Sequence, residues 1–516
     1  MSTGGAFRIF INKGRMDEIL TALGKLERTM DKIRDVTLHK LLQKNDDIAS
    51  AYDNAWEKGE TAAAKFEEKL YNRYISWMPL LRELRKDYIV FPTFFYKPFI
   101  PIGYQYFRTK GQGIQKTGGT MSFTLDVKGD FLNDMAVHVR LKNLRATDPA
   151  DKVRYVQFLG HRLFKKVAFR IQGNLIDEYT TDEYNKYYNF RVNSSKKAGW
   201  ERAVGQERPN LGYLTQNPTT DEIREYKWFG TGPQTFKRSH DVVDLWIPLI
   251  FFFKDIRFAI PNFVIPHGQT TVTIDMATQA ELTAFANYGG GGAFTGPDIT
   301  KMELYTNHIF MIPEIFDIYA KKFGFMLVRV HRRQSKVLKR SKDNILLNDM
   351  KWPIETMYIC FRPRANLDNS QTWYRNEVLT ETDVKIPVVT PGDIVAVNNA
   401  TYFEPSDPIT SLELRAHDVI IYEKANPKFY DSYIPLRYGE NFSTPEHQGW
   451  YVMNFNFYPD KAQPSGHVNS SRERELRLLY ESDYIGPNNL VDLVILADVL
   501  NVMVIKDGSA HLKFST

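Results

Sequence analysis

The clearest pattern along the chain is a change of hydrophobic period. Between residues 16 and 86, Ile19, Leu23, Leu26, Met30 and Ile33 recur at spacings of 4, 3, 4 and 3. That is the seam of a helix packed on a partner. Asp17 and Glu18 occupy its first turn, where the helix dipole favours negative charge. A second helical stretch carries Phe66, Leu70, Tyr74 and Ile75 and ends near Pro79. The two predict a helical hairpin that either covers an edge of its own domain or meets a neighbouring chain. From Phe91 the period becomes two. Met121, Phe123, Leu125 and Val127 alternate with polar residues, as do Met135, Val137, Val139 and Leu141, and then Val272, Ile274 and Met276. Strands of this kind bury one face and wet the other, as in a sandwich of antiparallel sheets. Lys128-Gly129-Asp130 and Gln172-Gly173-Asn174 punctuate them as turns.

The segment 287–297 (NYGGGGAFTGP) is the most flexible by composition and predicts a domain boundary. Beyond it, strands are expected at 323–330, 352–362, 411–422, 451–458, 476–480, 491–505 and 511–515. The fold class predicted is all-β, with an N-terminal segment over 1–90, a first β-domain over 91–290 and a second over 291–516. Periodicity supports two β-sandwiches and leaves their topology open.

Composition narrows the function. With 34 Phe and 28 Tyr in 516 residues, the chain is rich in strand-forming and interface-forming side chains. A net charge of +6 is slight for this length and does not suggest a nucleic-acid packager. Cys360 is the only cysteine, so no intrachain disulfide forms and a reducing compartment is expected. The first residues lack a secretory pattern, and Ser2 stands where myristoylation needs glycine. The most apolar run, 245–253, is nine residues long and contains Pro248. A bilayer span needs ~18, so a soluble protein is expected. Sequons at Asn193, Asn399, Asn441 and Asn469 are expected to stay unmodified.

Chemistry-bearing motifs are missing. There is no Walker loop, no G-x-S-x-G elbow and no supported Cys–His pair. The 11 histidines show no metal-binding spacing, and neither metal nor cofactor is expected. Asp177, Glu178, Asp182 and Glu183 form the densest acidic group and read as an exposed turn before Tyr184, Tyr187 and Tyr188, with a weak Ca²⁺ site as the competing reading.

Residues 451–485 carry the strongest resemblance to a known family. An alternating strand (Tyr451, Met453, Phe455, Phe457) runs into Pro464-Ser465-Gly466-His467, then a polar stretch with Arg472 and Arg474, then a new apolar run. This segment resembles the closing part of the double jelly-roll major capsid proteins of large DNA viruses, in particular the asfarvirus type. Similar segments occur in family order along the chain: Gly4-Gly5-Ala6-Phe7, Lys97-Pro98-Phe99-Ile100-Pro101, Gly173-Asn174-Leu175-Ile176-Asp177, Val204-Gly205-Gln206-Glu207, Gly232-Pro233-Gln234-Thr235, Ala259-Ile260-Pro261, Lys351-Trp352-Pro353-Ile354-Glu355 and Ser432-Tyr433-Ile434-Pro435. The end of the chain, from Asp507-Gly508-Ser509, is also similar.

The resemblance implies two tandem eight-stranded jelly rolls, a homotrimer forming a pseudo-hexagonal capsomer, and an icosahedral shell over an inner membrane. It implies a virion protein assembled in the host cytoplasm, with neighbouring capsomers and minor, penton or inner capsid proteins as partners and no enzymatic activity or direct nucleic-acid contact. The helical insertion at 16–86 has no clear counterpart in the asfarvirus proteins. Rival readings are a transient double jelly-roll scaffold for membrane assembly and a carbohydrate-binding β-sandwich.

Candidate contact residues follow. Seven of fourteen residues in 329–342 are Lys or Arg. Arg332, Arg333, Lys336, Lys339 and Arg340 are candidates for an acidic inner protein or lipid headgroups, against the alternative of a solvated strand edge. Ile19, Leu23, Leu26, Met30 and Ile33 are candidates for an inner or neighbouring contact. Pro464, Gly466 and His467 read as a tight turn, with His467 available at a subunit contact.

Overall fold

The alternating segments of the first half become eight strands in two sheets. They are β1 (Ile102–Lys110), β2 (Thr120–Leu125), β3 (Phe131–Leu141), β4 (Phe164–Ile171), β5 (Asn174–Thr180), β6 (Val243–Pro248), β7 (Thr270–Met276) and β8 (Ile299–Met311). The computed structural model describes residues 102–514 apart from 127, 208–209, 217–222, 230–231, 266–267, 287–292, 312–324, 390–394, 439–441, 460, 472–474 and 507–508, with only the backbone at 210–216, 223–229, 264, 382–403, 506 and 509. The helical hairpin expected over 16–86, with Ile19, Leu23, Leu26, Met30 and Ile33, lies outside the described residues.

One sheet runs β1-β8-β3-β6 and the other β2-β7-β4-β5. First strand beside last, third beside sixth, and second beside seventh is the jelly-roll order. Strand β8 lies beyond residue 290 and still pairs within the first of these sheets. Between β5 and β6 the chain inserts two helices, α1 (Thr181–Phe190) and α2 (Ser194–Val204), and a hairpin of Asn210–Gln216 with Ile223–Phe229.

The second half repeats the plan. Its strands are β9 (Phe325–Leu338), β10 (Lys342–Leu346), β11 (Pro353–Pro363), β12 (Val378–Val389), β13 (Val395–Ser406), β14 (Ser411–Ala416), β15 (Val419–Ala425), β16 (Trp450–Asn454), β17 (Leu476–Glu481), β18 (Val491–Lys506) and β19 (Ser509–Leu512). The sheets run β9-β18-β11-β16 and β10-β17-β14-β15, with β19 added on β18. With the β12–β13 hairpin set aside, this is the first-half order again. That hairpin is an insertion in the second roll, between its third and fourth strands, and pairs continuously from Val378 with Ser406 to Val389 with Val395. The protein is therefore a double jelly roll, mostly β, with few helices.

Local chemistry explains the details. Gln172 and Gly173 have φ of 52° and 80°. A two-residue hairpin needs both positive, and β4 turns into β5 there. The strand expected over 411–422 breaks at His417, φ 52°, and becomes the β14–β15 hairpin. The strand expected over 451–458 stops at Asn454.

Strand β11 is buried along almost its whole length, which accounts for its unbroken apolar run. Met357, Ile359 and Phe361 face the sandwich core, whereas Tyr358 and Cys360 join a second cluster with Phe190, Trp450, Val494 and Leu496 on the sheet's other face. Apart from residues 102–105 of β1 and 308–311 of β8, the strands of both rolls lie in one compact unit of Tyr106–Val127, Phe131–Asn307 and Phe323–Thr516. In the other unit, the Asp130 N–H donates to the Ile309 carbonyl at 2.9 Å and the Asp130 carboxylate accepts from the Met311 N–H at 2.7 Å.

Candidate junction and assembly surfaces

The most completely built contact between distant segments joins the two rolls of one chain. Helix α1 forms it. Asp182 and Glu183 sit in its first turn, where the dipole favours them, and residues 182, 183, 186 and 190 share one face. The Asp182 carboxylate accepts from Arg362 of β11 at 2.7 Å and from Arg333 of β9 at 3.1 Å. The Lys186 ammonium lies 2.6 Å from Glu183 and 2.8 Å from Asp498 of β18, and stands over the Tyr358 ring. Arg191 adds a second cation to Asp498 at 3.1 Å. At the end of the helix, Phe190 packs on Tyr358 and Trp450, with ring centroids 5.0 and 5.9 Å apart. From β5, Asp177 accepts from the His331 backbone N–H and contacts its Nδ1, both at 2.9 Å.

These groups set one another's ionisation. Burial alone would raise the Asp182 carboxyl, but Arg362 and Arg333 outweigh it and hold it below the usual range. Burial opposes the charge on Lys186, and Asp498 and Glu183 more than restore it. Asp498 is held low by Lys186 and Arg191 against its own desolvation. Burial would lower the His331 pKa, yet Asp177 and Glu183 raise it.

The acidic group expected to be an exposed turn is thus a correction. Asp177, Asp182 and Glu183 are buried, and each meets a basic side chain. The outermost member, Glu178, pairs with Lys166. A carboxylate tolerates burial when a cation and hydrogen bonds compensate it, and the cations come largely from sequence 150 residues or more away.

The basic run is mostly neutralised within the chain. Arg329 binds Glu355 at 2.5 and 3.1 Å, Arg333 binds Asp182, Lys336 binds Asp343 at 3.0 Å and Lys342 binds Glu481 at 3.0 Å. Arg332 stacks over the Trp352 ring at 3.5 Å. Lys339 and Arg340 stand exposed in the β9–β10 turn and form no ion pair among the described residues. In the turn at Pro464, Ser465 Oγ accepts from the Tyr458 N–H at 2.8 Å. Gly466 has φ 154°, and a Cβ there would lie 2.6 Å from the Phe455 carbonyl oxygen, so the close approach requires glycine. His467 is exposed. Asn193, read as a sequon, caps α2 by accepting from the Ser195 N–H.

Sequence reading missed α1 and its partners Lys186, Phe190, Arg362 and Asp498. It also missed an aromatic group on the outer face of the β1-β8-β3-β6 sheet. Trp246 of β6 stacks on His138 of β3 at 4.6 Å and lies 4.8 Å from Tyr305 of β8. Trp246 is 42% exposed. Superposing the two halves strand by strand would have revealed it, because β6 and β16 each carry a tryptophan.

Comparison with known proteins accounts for both halves. Residues 104–311 match the family described as the major capsid protein N-terminus, and residues 318–511 match the large eukaryotic DNA virus major capsid protein family. The hexon protein p72 of African swine fever virus (isolate Tick/Malawi/Lil 20-1/1983) is 24% identical over 679 aligned positions covering all of both chains. The major capsid protein of Spodoptera frugiperda ascovirus 1a is 24% identical over 36% of each chain. Among solved structures, the Faustovirus major capsid protein superposes with a TM-score of 0.67 at 25% identity, over 92% of this chain and 99% of that one. A subunit of the PBCV-1 virus capsid has the same fold, with a TM-score of 0.58 at 18% identity over 83% of this chain and 100% of its own. Matched in both rolls and along its full length, the chain belongs to the major capsid proteins of large eukaryotic DNA viruses and is a building protein of the virion capsid.

Proposed function

We propose that three copies associate into a pseudo-hexagonal capsomer, and that these capsomers tile an icosahedral shell. The single observation that carries this reading is the repetition of one strand order, 1-8-3-6 over 2-7-4-5, twice in one chain. Three such chains present six similar sandwiches, so one gene product fills a site of near-sixfold symmetry, and heterologous contacts around the ring close it. In this reading the first roll runs from β1 to β8 and the second from β9 to β19. The N-terminal segment before them, including Ile19, Leu23, Leu26, Met30 and Ile33, contacts inner or neighbouring proteins. Lys339 and Arg340, which stand at a hairpin tip and form no ion pair among the described residues, face an acidic surface: an inner membrane or an inner capsid protein. The turn at Pro464, Gly466 and His467 contributes to a subunit contact. Minor and penton proteins complete the shell, assembly takes place in the host cytoplasm, and the protein catalyses nothing.

Light scattering on the purified protein, followed by negative-stain imaging, tests the trimer. The expected result is three times the mass of one chain in hexagonal particles. A stable monomer at all working concentrations rules it out.

A further inference from the structure

The two rolls bury corresponding faces to very different extents. Strands β3 and β11 are each 11 residues long, and His138 and Cys360 each stand seven residues after the first, Phe131 and Pro353. Trp246 of β6 pairs with His138, and Trp450 of β16 pairs with Cys360. Trp246 and Trp450 therefore occupy the same position in their rolls, the third and sixth strands of each matching residue for residue. Yet Trp450 is 2% exposed and Trp246 is 42% exposed. The difference lies in what covers them. On the second roll, Phe190 of α1 reaches across from the first roll and, with Ile434 and Phe442 of the second roll's own insertion, closes over Tyr358 and Trp450. On the first roll, Trp246, His138 and Tyr305 form an open aromatic face bordered by Asp244 and by Arg140, which is the counterpart of Arg362. The His138 Nδ1 atom is shielded from solvent there and has no hydrogen-bond partner among the described residues.

The covering element also has a counterpart. Helix α1 belongs to the insertion between the fifth and sixth strands of the first roll. The insertion between the fifth and sixth strands of the second roll contains a helical turn at Phe429–Tyr433 and a short helix at Ile434–Arg437. Both insertions divide their side chains in the same way. Tyr184 and Tyr188 of α1 pack into the main core, while Phe190 crosses to the other roll. Tyr430 packs into the main core and Ile434 joins Phe190 in the cluster over Trp450, whereas Tyr433 and Leu436 are 53% and 73% exposed.

We infer that the open face of the first roll is the seat for Tyr433 and Leu436 of a second copy of this chain. The inference rests on the trimer reading and names its interface. Within a chain, the insertion of roll one covers roll two. Repeating that step from roll two of one chain to roll one of the next closes a ring after three chains and six rolls, with every outer tryptophan covered. Aromatic and aliphatic anchors in a buried centre, rimmed by charges such as Asp244 and Arg140, are the composition expected of such a contact.

Sedimentation velocity on the full-length protein tests it, with Trp246→Ala and Leu436→Glu as separate variants. Both side chains are exposed within one chain, so each variant should retain the far-ultraviolet spectrum of the parent. Removal of a central anchor should weaken the trimer at least about thirtyfold. Val419→Glu, at a residue 67% exposed on β15, is the control and should leave the trimer intact. A parent trimer that persists unchanged in either interface variant, or that Val419→Glu disrupts equally, overturns this interface while leaving the trimer itself standing. A monomeric parent overturns the trimer reading instead.

Discussion

Asp182 holds two arginines, Arg362 and Arg333, from two strands of the other roll, and among the described residues it is the only carboxylate paired with either. Arg362 is itself buried. Such a pair need not stabilise more than apolar residues of the same shape, but removing one partner leaves a buried charge uncompensated. Asp182→Ala should cost about 3–5 kcal/mol by denaturant unfolding. Adding Arg362→Met to it should recover part of that loss, and a double variant as unstable as the sum of the singles would contradict the argument. The same groups give the junction a pH dependence with two signs. Asp182 and Asp498 are held below their ordinary values, so their stabilisation is full above the ordinary carboxylate pKa of ~4 and is lost as pH falls through the lowered values. His331 is raised, so its contribution is full below ~6.5 and is lost as pH rises through the raised value. Melting temperature against pH should therefore decline on both flanks, and His331→Gln should flatten the alkaline flank, with a lesser effect on the acid one through Asp498, which His331 helps to hold low.

At the scale of elements, α1 contributes Phe190 to the cover over the outer face of the β9-β18-β11-β16 sheet, beside Ile434 and Phe442. Phe190→Ala would open a cavity against Tyr358 and Trp450 and should cost about 3–5 kcal/mol. Hydrogen exchange should then rise along β16 and β18 while β4 and β7 keep their protection; uniform exchange across both rolls would show that α1 is not a local cover. This element also marks where sequence reading reached its end. The alternation at 121–127, 135–141 and 272–276 became β2, β3 and β7 because each of those strands has one core face and one polar face. Strand β11 is also legible, since its stretch 357–361 is apolar without a break, as in a strand covered on both sides. Helix α1 was not. Tyr184 and Tyr188 show a helical spacing, but the residues on its other face are charged, and they are buried only because the second roll supplies Arg362, Arg333 and Asp498. Local polarity suggested solvent, and a partner more than a hundred residues away reversed it. In the basic run at 329–342, conversely, Arg329, Arg333, Lys336 and Lys342 look free in the sequence until the carboxylates opposite them are placed.

For the whole molecule, cohesion comes from packing and paired charge. The only thiol, Cys360, lies inside the second cluster with its pKa pushed up to about 12 by burial, so it is neither exposed nor readily ionised. Contacts between capsomers can be individually weak, because each unit makes several at once and avidity multiplies them. The two rolls are alike in strand order but not in ornament. The long hairpin of β12 and β13 interrupts the second roll alone, and its counterpart in the first roll, the passage from β3 to β4, is built differently. Six near-equivalent pillars would then bear only three such arms, one on every other pillar. An antibody fragment raised against the arm would saturate at three per capsomer rather than six, and its bound copies would report the true threefold axis hidden beneath the hexagonal outline.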